Sequence, residues 1–248
     1  CEDSHIAARL FRDVLRSPWM DIVPHTLPGD EDAVLIRADK TANSAGARLA
    51  GLVPKDEAHG IAGILEGVNS GRIKAVIVTD TRGAMYPGLM EALARARYVV
   101  AVVSNHSALT ERADAVLAAT TFAEKLGTLL NCDGQLQILR PALTTAENER
   151  WTGQFAMSRL DKFGTEFDRW GRATRYDARG TARILGNIAM VLGAKWKHEH
   201  PEDIFEHMAS TIDALRGLDY ERIGRWGVRI GGTPRAHLLP YVYTDVRA

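Results

Sequence analysis

A group of small and polar residues near the middle of the chain is the part of this sequence best suited to binding chemistry. Glu124 and Lys125 are followed closely by Gly127, Thr128 and Asn131. Glycine lets a backbone approach a ligand, and an asparagine amide bonds both donors and acceptors. These residue types are therefore suited to contact with a bound molecule. The alternative is a plain turn, in which asparagine tolerates left-handed geometry.

Polar segments also follow three apolar runs that are predicted to be strands. The runs are residues 74–79, 98–103 and 115–118, and helical periodicity fills the intervals between them. Such runs suit strands that are buried on both faces of a parallel sheet. The alternation predicts a doubly wound, mainly parallel α/β unit, whose ligands bind beyond the carboxyl ends of the strands. We therefore expect one edge of the sheet to carry the polar segments 79–83, 104–106 and 120–121 and a turn at 127–131.

The composition divides the chain into three predicted parts. Residues 1–145 carry the α/β pattern, which includes a further short strand at 33–36. Residues 146–183 form an insertion rich in arginine and aromatic side chains, and residues 184–248 form a helical C-terminal part with an extended tail. The insertion is suited to docking a neighbouring subunit or to binding single-stranded nucleic acid. The formal net charge of +0 favours a protein partner, and we expect no nucleic acid.

Taken together, residues 113–137 resemble a signature of the molybdopterin oxidoreductase superfamily. The pattern runs from a strand through a threonine or serine turn to Glu-Lys-x-Gly-Thr-x-x-Asn-x-x-Gly-Arg-x-Gln. Two flanking segments, 35–52 and 218–228, resemble one branch of this superfamily. That branch is the C-terminal part of the large iron–sulfur subunit (the G type) of complex I, the NADH:quinone oxidoreductase. The resemblance implies an α/β fold in which active members bind two pterin guanine dinucleotides around molybdenum or tungsten.

The complex I branch implies a different role, because its large subunit keeps this fold and is held to have lost the pterin. This chain also departs from the superfamily pattern, with Gln135 in place of the usual arginine and Ala118 in place of the usual proline. Arginine forms bidentate contacts to phosphate that glutamine does not replace. We therefore expect a structural, non-catalytic domain of a multi-subunit electron-transport complex, without catalytic, cofactor-binding or metal-ligating residues of its own. Iron–sulfur clusters are expected in upstream or partner parts, and the location is expected to be cytoplasmic, with membrane association through partner subunits.

The resemblance also implies an alternative, the pterin-binding half of an active molybdenum or tungsten oxidoreductase such as a formate dehydrogenase. Sequence upstream of Cys1 would separate the two, through cysteine clusters for the first and a cysteine or selenocysteine metal ligand for the second. A third interpretation, an isolated α/β binding protein, is disfavoured by the tyrosine-containing tail, which needs a neighbour to pack on. In the pterin alternative, molybdopterin guanine dinucleotide is expected to contact Asp80, Ser104, Asn105, Thr121, Glu124, Thr128 and Asn131.

Several other classes of protein find no support in the sequence. Two cysteines, Cys1 and Cys132, are too few for a four-thiolate iron–sulfur site. No apolar run approaches the roughly 20 residues that a membrane span requires, so no direct span is expected. The pair His198 and His200 offers too few ligands for a closed metal site. The motifs of P-loop enzymes, zinc proteases and serine hydrolases do not occur.

Overall fold

The computed structural model describes residues 1–32, 36–143, 145, 178–198 and 200–230. Most of the strand predicted at 33–36, most of the predicted insertion 146–183 and the tail from residue 231 lie outside the described residues. The described helices are α1 (Glu2–Arg9), α2 (Ser44–Leu49), α3 (Ile61–Asn69), α4 (Leu89–Arg95), α5 (Ala108–Arg112), α6 (Thr181–Val191), α7 (Pro201–Thr211) and α8 (Tyr220–Ile223). The described strands are β1 (Ala75–Thr79), β2 (Tyr98–Val103), β3 (Ala115–Ala118), β4 (Gly127–Leu130), β5 (Gln135–Leu139) and β6 (Val228–Arg229).

Strands β1, β2 and β3 form a parallel sheet in that order. One face packs against α3, α4 and α5 through a core that includes Val68, Leu93 and Leu109. The other face places Val102 in a second core, to which α1 contributes Ile6. The central strand β2 is therefore covered on both faces, as its composition predicts, whereas Val116 of the edge strand β3 is exposed. The mixed α/β class and the parallel sheet are confirmed, while the doubly wound arrangement of the molybdopterin type stays a prediction.

A second sheet is antiparallel and has the order β4-β5-β6. Its first strand, Gly127–Leu130, occupies the segment for which the sequence predicts a turn, so that prediction is wrong for these residues. The chain turns at 131–134 instead, where Gly134 has a positive φ of 79°. The physical reason is that the backbone of β4 has hydrogen-bond partners on both of its edges, which holds it extended.

The C-terminal helices pack on the N-terminal part of the chain. Helices α6 and α7 contact α1, and α8 contacts β5. As the sequence predicts, α7 begins at Pro201 with Glu202 and Asp203 in its first turn, where carboxylates favour a helix N-terminus. The buried residues of its apolar face belong to the core that also contains residues of α1. The described part of 184–248 thus shares one core with 1–145. None of the described helices combines the length and the apolar character needed to cross a bilayer.

A glycine in α2 permits a close approach between three segments. A side-chain carbon at Gly46 would lie 2.0 Å from Asn43 Oδ1 and 2.6 Å from Cys1 Sγ. Carbon atoms do not approach such neighbours so closely, so position 46 has no room for a side chain. The space left free lets the Asn43 amide reach the outer edge of β4.

We expect Gly46→Ala to lower the free energy of unfolding by about 1–3 kcal/mol, because the added methyl group pushes Asn43 and Cys1 away. Gly186→Ala is the matched control, since Gly186 lies within α6 and a carbon added there meets no atom within 4 Å. Alanine favours a helix over glycine, so the control is expected to gain about 0.5–1 kcal/mol. Urea unfolding measures both, and equal stability of the two variants would contradict the packing argument.

Candidate functional site

The signature residues around Thr128 lie against the first residues of the chain. On the outer edge of β4, the Thr128 amide donates to Glu2 Oε2 at 2.8 Å, and the Leu130 amide donates to Asn43 Oδ1 at 2.9 Å. Two side chains thus take the place of a neighbouring strand and satisfy the backbone of this edge. Gly127 allows the approach, because a side-chain carbon there would lie 3.0 Å from Glu2 Oε2.

The Glu2 carboxylate is buried and holds three elements together. Besides the Thr128 amide, it accepts hydrogen bonds from the Thr128 hydroxyl at 3.0 Å and from the Tyr220 hydroxyl at 2.8 Å. Burial, followed by the charge of Glu2, holds the pKa of Tyr220 well above its usual value. The network joins α1, β4 and α8. Because its acceptor sites are used inside the domain, this buried carboxylate has a structural role.

Lys125 makes a second connection to the first turn of α1. Its Nζ donates to Asp3 Oδ2 at 2.8 Å and to the Thr181 hydroxyl at 3.2 Å. The other Asp3 oxygen accepts from the Ala182 amide at 2.8 Å, at the positive end of the α6 dipole. Burial raises the pKa of Asp3, but the charge and hydrogen bond of Lys125 outweigh it and leave this pKa below its usual value. Lys125 therefore connects α1 to α6.

Asn131 and Gln135 shape the turn between β4 and β5. Asn131 Oδ1 accepts from the backbone amides of Asp133 at 3.0 Å and Gln135 at 2.9 Å. Gln135, at the position of the superfamily arginine, donates from Nε2 to the backbone oxygen of Trp226 at 3.0 Å. Beside it, Gly227 has a positive φ of 77°, and a side-chain carbon there would lie 2.3 Å from a backbone oxygen of β5. Packing within the chain therefore accounts for asparagine at position 131 and glycine at position 227, two residues of the segments that resemble the superfamily.

Thr121 and Glu124 form the turn that follows β3. Glu124 Oε2 accepts from the backbone amide of Thr121 at 2.8 Å and from its hydroxyl at 2.9 Å. Glu124 thus accepts from the residue that precedes the helical turn, Thr121, as the third residue of a capping box does. The short helical turn Phe122–Glu124 is held in this way.

Asp80, Ser104 and Asn105 lie at the carboxyl ends of β1 and β2, where the sequence predicts ligand-binding loops, and all three are exposed. Asp80 has a positive φ of 92°, which is unusual for a residue other than glycine. Its carboxylate accepts from the Arg82 amide at 2.9 Å and the Arg82 guanidinium at 3.2 Å. Backbone strain of this kind is concentrated at functional sites, so this edge is a candidate site on structural grounds as well.

The candidate residues therefore fall into two groups. Asp80, Ser104 and Asn105 stand exposed at the edge of the parallel sheet. The other candidates form side-chain hydrogen bonds within the domain, and they are Thr121, Glu124, Thr128 and Asn131. Contact between any of them and a pterin stays a prediction.

A cleft of about 760 Å³ opens between α1, α6 and the segment before α7. Its walls include the aromatic ring of Trp196 and the charged side chains of Arg183 and Lys197, and Glu124 is the one candidate that lines it. No motif indicates this cleft, because segments far apart in sequence form it. Across the ranges that the structure describes, no group of three or more histidine, cysteine or acidic residues is placed to hold a metal ion.

The sequence patterns did not predict the residues that hold Lys125, Thr128 and Leu130 in place. These residues are Glu2 and Asp3 in α1, Asn43 before α2 and Tyr220 in α8. The one local signal was two adjacent acidic residues at the start of an amphipathic helix, a pattern that also suits a solvent-exposed helix N-terminus. Their partners follow from packing and have no counterpart in the local pattern.

We expect Glu2→Gln to lower the free energy of unfolding by about 1.5–3 kcal/mol, because its NH₂ group replaces an acceptor that faces N–H and O–H donors. Glu66→Gln is the control, since Glu66 is exposed on α3, and it is expected to change stability by less than about 0.5 kcal/mol. Urea unfolding at neutral pH compares the two. A loss for Glu2→Gln as small as that of the control would contradict the structural role.

The raised pKa of Tyr220 predicts a loss of stability in alkaline solution. Because the folded-state pKa lies above the unfolded-state value, the stabilising contribution is present below about pH 10 and is lost as pH rises further. We expect Tyr220→Phe to be less stable than the parent at pH 7 and to lose less on going to pH 11. Tyr98→Phe, at an exposed tyrosine, is the control and should follow the parent. Urea midpoints that fall equally in the parent and Tyr220→Phe would refute this.

Comparison with curated proteins finds relatives with oxidoreductase names. YrhE of Bacillus subtilis, which bears a formate dehydrogenase name, is 29% identical over 139 residues, covering 56% of this chain and 11% of that protein. The G subunit of NADH-quinone oxidoreductase from Streptomyces coelicolor is 32% identical over 126 residues, covering 49% of this chain and 14% of that protein. YjgC of Bacillus subtilis, which bears an oxidoreductase name, is 25% identical over 206 residues, covering 81% of this chain and 18% of that protein.

No family model matches the chain. The chain spans between 11% and 18% of the length of these three relatives. The activity of a whole relative therefore cannot be assigned to this chain from the similarity alone. Their names include both branches that the sequence motifs indicate, and the resemblance is confirmed. The chain is homologous to members of the molybdopterin oxidoreductase superfamily.

Proposed function

We propose that this chain is a structural, non-catalytic domain of a multi-subunit oxidoreductase of the complex I type. In this role it binds other subunits, and the iron–sulfur clusters that carry electrons belong to upstream or partner parts. The assembly lies on the cytoplasmic side and reaches the membrane through those partners. The relationship to the G subunit of NADH-quinone oxidoreductase supports this assignment.

The observation that carries the proposal is that the signature side chains are engaged within the domain and are not directed at a ligand site. Thr128 binds the buried Glu2, Lys125 binds Asp3, and Asn131 closes the turn after β4. A domain needs these contacts in order to fold, whether or not it holds a cofactor. A scaffold without a cofactor would therefore need the same signature residues.

Gln135 supports the same assignment. An arginine at this position brings a positive charge and a planar fork of donors that match phosphate. Glutamine is neutral, and its amide nitrogen is engaged with the Trp226 backbone oxygen. A dinucleotide diphosphate would therefore lose a favourable cation here.

Metal and pterin analysis of the purified native complex tests the proposal. We expect neither molybdenum nor tungsten in stoichiometric amount by elemental mass spectrometry, and no pterin fluorescence after oxidative release. Iron and acid-labile sulfide, measured in the same sample, provide the internal control that the assembly is loaded with its clusters. A stoichiometric amount of either metal, with pterin density against Asn131, would overturn the scaffold role.

The second candidate is the pterin-binding half of an active molybdenum or tungsten oxidoreductase, and the strained backbone of Asp80 favours it. The Asp80 carboxylate, the Ser104 hydroxyl and the Asn105 amide offer acceptors and donors suited to the guanine and ribose of the dinucleotide. Arg82 is the nearby cation, and it is already bound to Asp80. A relative with a formate dehydrogenase name supports the same candidate. When bound, the cofactor would supply the redox-active metal.

A pair of variants separates the two candidates. The double variant Asp80→Gly/Asn105→Ala removes two exposed side chains, and glycine adopts the positive φ at position 80, so the fold is expected to stay intact. In the scaffold role, the assembly keeps its NADH:quinone activity and its composition. In the pterin role, the same variant loses metal, pterin and activity together. Glu2→Gln provides the opposite control, because it is expected to reduce assembly in both cases.

A further inference from the structure

Three histidines from separate parts of the chain meet beside α1. His5 is buried on α1, His207 lies on α7, and His198 lies in the segment before α7. The ring centroids of His5 and His207 are 5.2 Å apart, and those of His198 and His207 are 5.7 Å apart. Arg9, one helical turn after His5, contacts His198. We call these four residues the histidine cluster.

The partners of His5 determine where its proton lies. His5 Nδ1 faces the backbone oxygen of Ala50 at 3.4 Å, and a backbone oxygen can only accept. Nδ1 therefore carries the hydrogen, so Nε2 is an acceptor in the neutral ring. His207 Nδ1 lies 3.0 Å from His5 Nε2 and donates to it. Two neutral rings satisfy both contacts, whereas two protonated rings place N–H against N–H.

His198 must also be unprotonated on the nitrogen that faces Arg9. Arg9 Nη1 lies 2.9 Å from His198 Nε2, and a guanidinium group has donors and no acceptor. A proton added to Nε2 would replace this hydrogen bond by repulsion between two cations. The Arg9 guanidinium lies 4.3 Å from the centre of the Trp196 ring, a cation–π contact that holds it in place.

The charges that face the cluster do not neutralise added protons. From α1 and the turn that follows it, Arg9, Arg12 and Asp13 act on the three rings, and Asp203 does so from α7. Asp13 is already engaged, with its carboxylate 2.8 Å from Arg12 Nε and 3.6 Å from Arg9 Nε. Asp203 accepts from the His200 amide at 2.9 Å. Further protons would therefore enter a partly buried region that already contains cations.

We propose that the histidine cluster is an acid-sensitive latch, which holds α7 on α1 at neutral pH and opens more often in mildly acidic solution. Behind the latch, Ile204, Phe205 and Met208 of α7 share a core with Ile6 of α1. Release of the latch exposes this apolar surface. The latch follows from these contacts alone and does not depend on the proposed function.

The direction of the pH effect follows from the neutral rings. Burial first, and then the neighbouring cationic groups, lower the pKa of all three histidines, and that of His5 falls to about 4. Because the folded-state pKa lies below the unfolded-state value of 6.5, stability is full above about pH 6.5 and is lost as pH falls toward 4. For His5 alone, this shift raises the unfolding equilibrium constant about thirtyfold between pH 7.5 and pH 5.

Urea unfolding of the full 248-residue chain at pH 7.5 and pH 5 tests the latch. We expect the parent to show a rise in the unfolding equilibrium constant of at least about thirtyfold. His5→Gln keeps an acceptor for His207 but takes up no proton, so its rise is expected to be several times smaller. His25→Gln is the matched control, because His25 is exposed and far in sequence from the cluster, and it should behave as the parent. Equal rises in His5→Gln and the parent would overturn the proposal.

Hydrogen exchange on the unmodified chain provides a second measurement that does not rely on a variant that folds. After correction for the intrinsic effect of pH on exchange, the amides of α7 are expected to lose protection at pH 5, while those of α4 keep theirs. NMR titration of the histidine rings in the same sample should show His5 still neutral at pH 5. Uniform loss of protection in both helices, or titration of His5 near pH 6.5, would show that no such latch exists.

Discussion

The structure depends on how the outer edge of β4 is satisfied. The amides of Thr128 and Leu130 point away from β5, and a buried edge with unpaired amides is costly. Glu2 and Asn43 accept from them, and Tyr220 binds the same Glu2 carboxylate. One carboxylate and one amide thus connect the N-terminal helix, the antiparallel sheet and the C-terminal helices. The packing of α6 and α7 on α1 follows, because the first turn of α1 is held in place at Glu2 and Asp3.

This constraint changes what the superfamily signature means for function. Glycine, threonine and asparagine at 127, 128 and 131 look like ligand-binding residues when they are considered alone. In the fold, Gly127 makes room for Glu2, Thr128 binds that carboxylate, and Asn131 closes a turn. The exposed polar groups at the ends of β1 and β2 are a separate feature, with strain at Asp80. The scaffold and pterin-binding roles therefore differ in the use of that edge, and the signature is required by both.

Helix α1 serves two kinds of contact along its length. Its first turn binds the segment around Thr128 through Glu2 and through Asp3, and the charge of Lys125 lowers the pKa of Asp3 and keeps it ionised. Its middle binds α7 through histidines that have to be neutral. The two sets of contacts are compatible at neutral pH. Acid weakens the histidine contacts before Asp3 is protonated, because the loss begins near the ordinary histidine pKa of 6.5 and the pKa of Asp3 is lowered. In the latch that we propose, the contact between α7 and α1 is therefore the one that acid weakens first.

Local patterns in the sequence determined the strands of the parallel sheet, the helices between them and the start of α7, because apolar periodicity and Pro201 act on neighbouring residues. They also carried the resemblance to the superfamily. They misassigned Gly127–Leu130, since a glycine and a threonine in sequence do not reveal that Glu2 and Asn43 will complete a strand edge. Only the tertiary structure decided the partners of Glu2, the meeting of His5 with His198 and His207, and the cleft beside α6. Each joins residues far apart in the chain, so it follows from the direction in which helices pack and not from any local spacing.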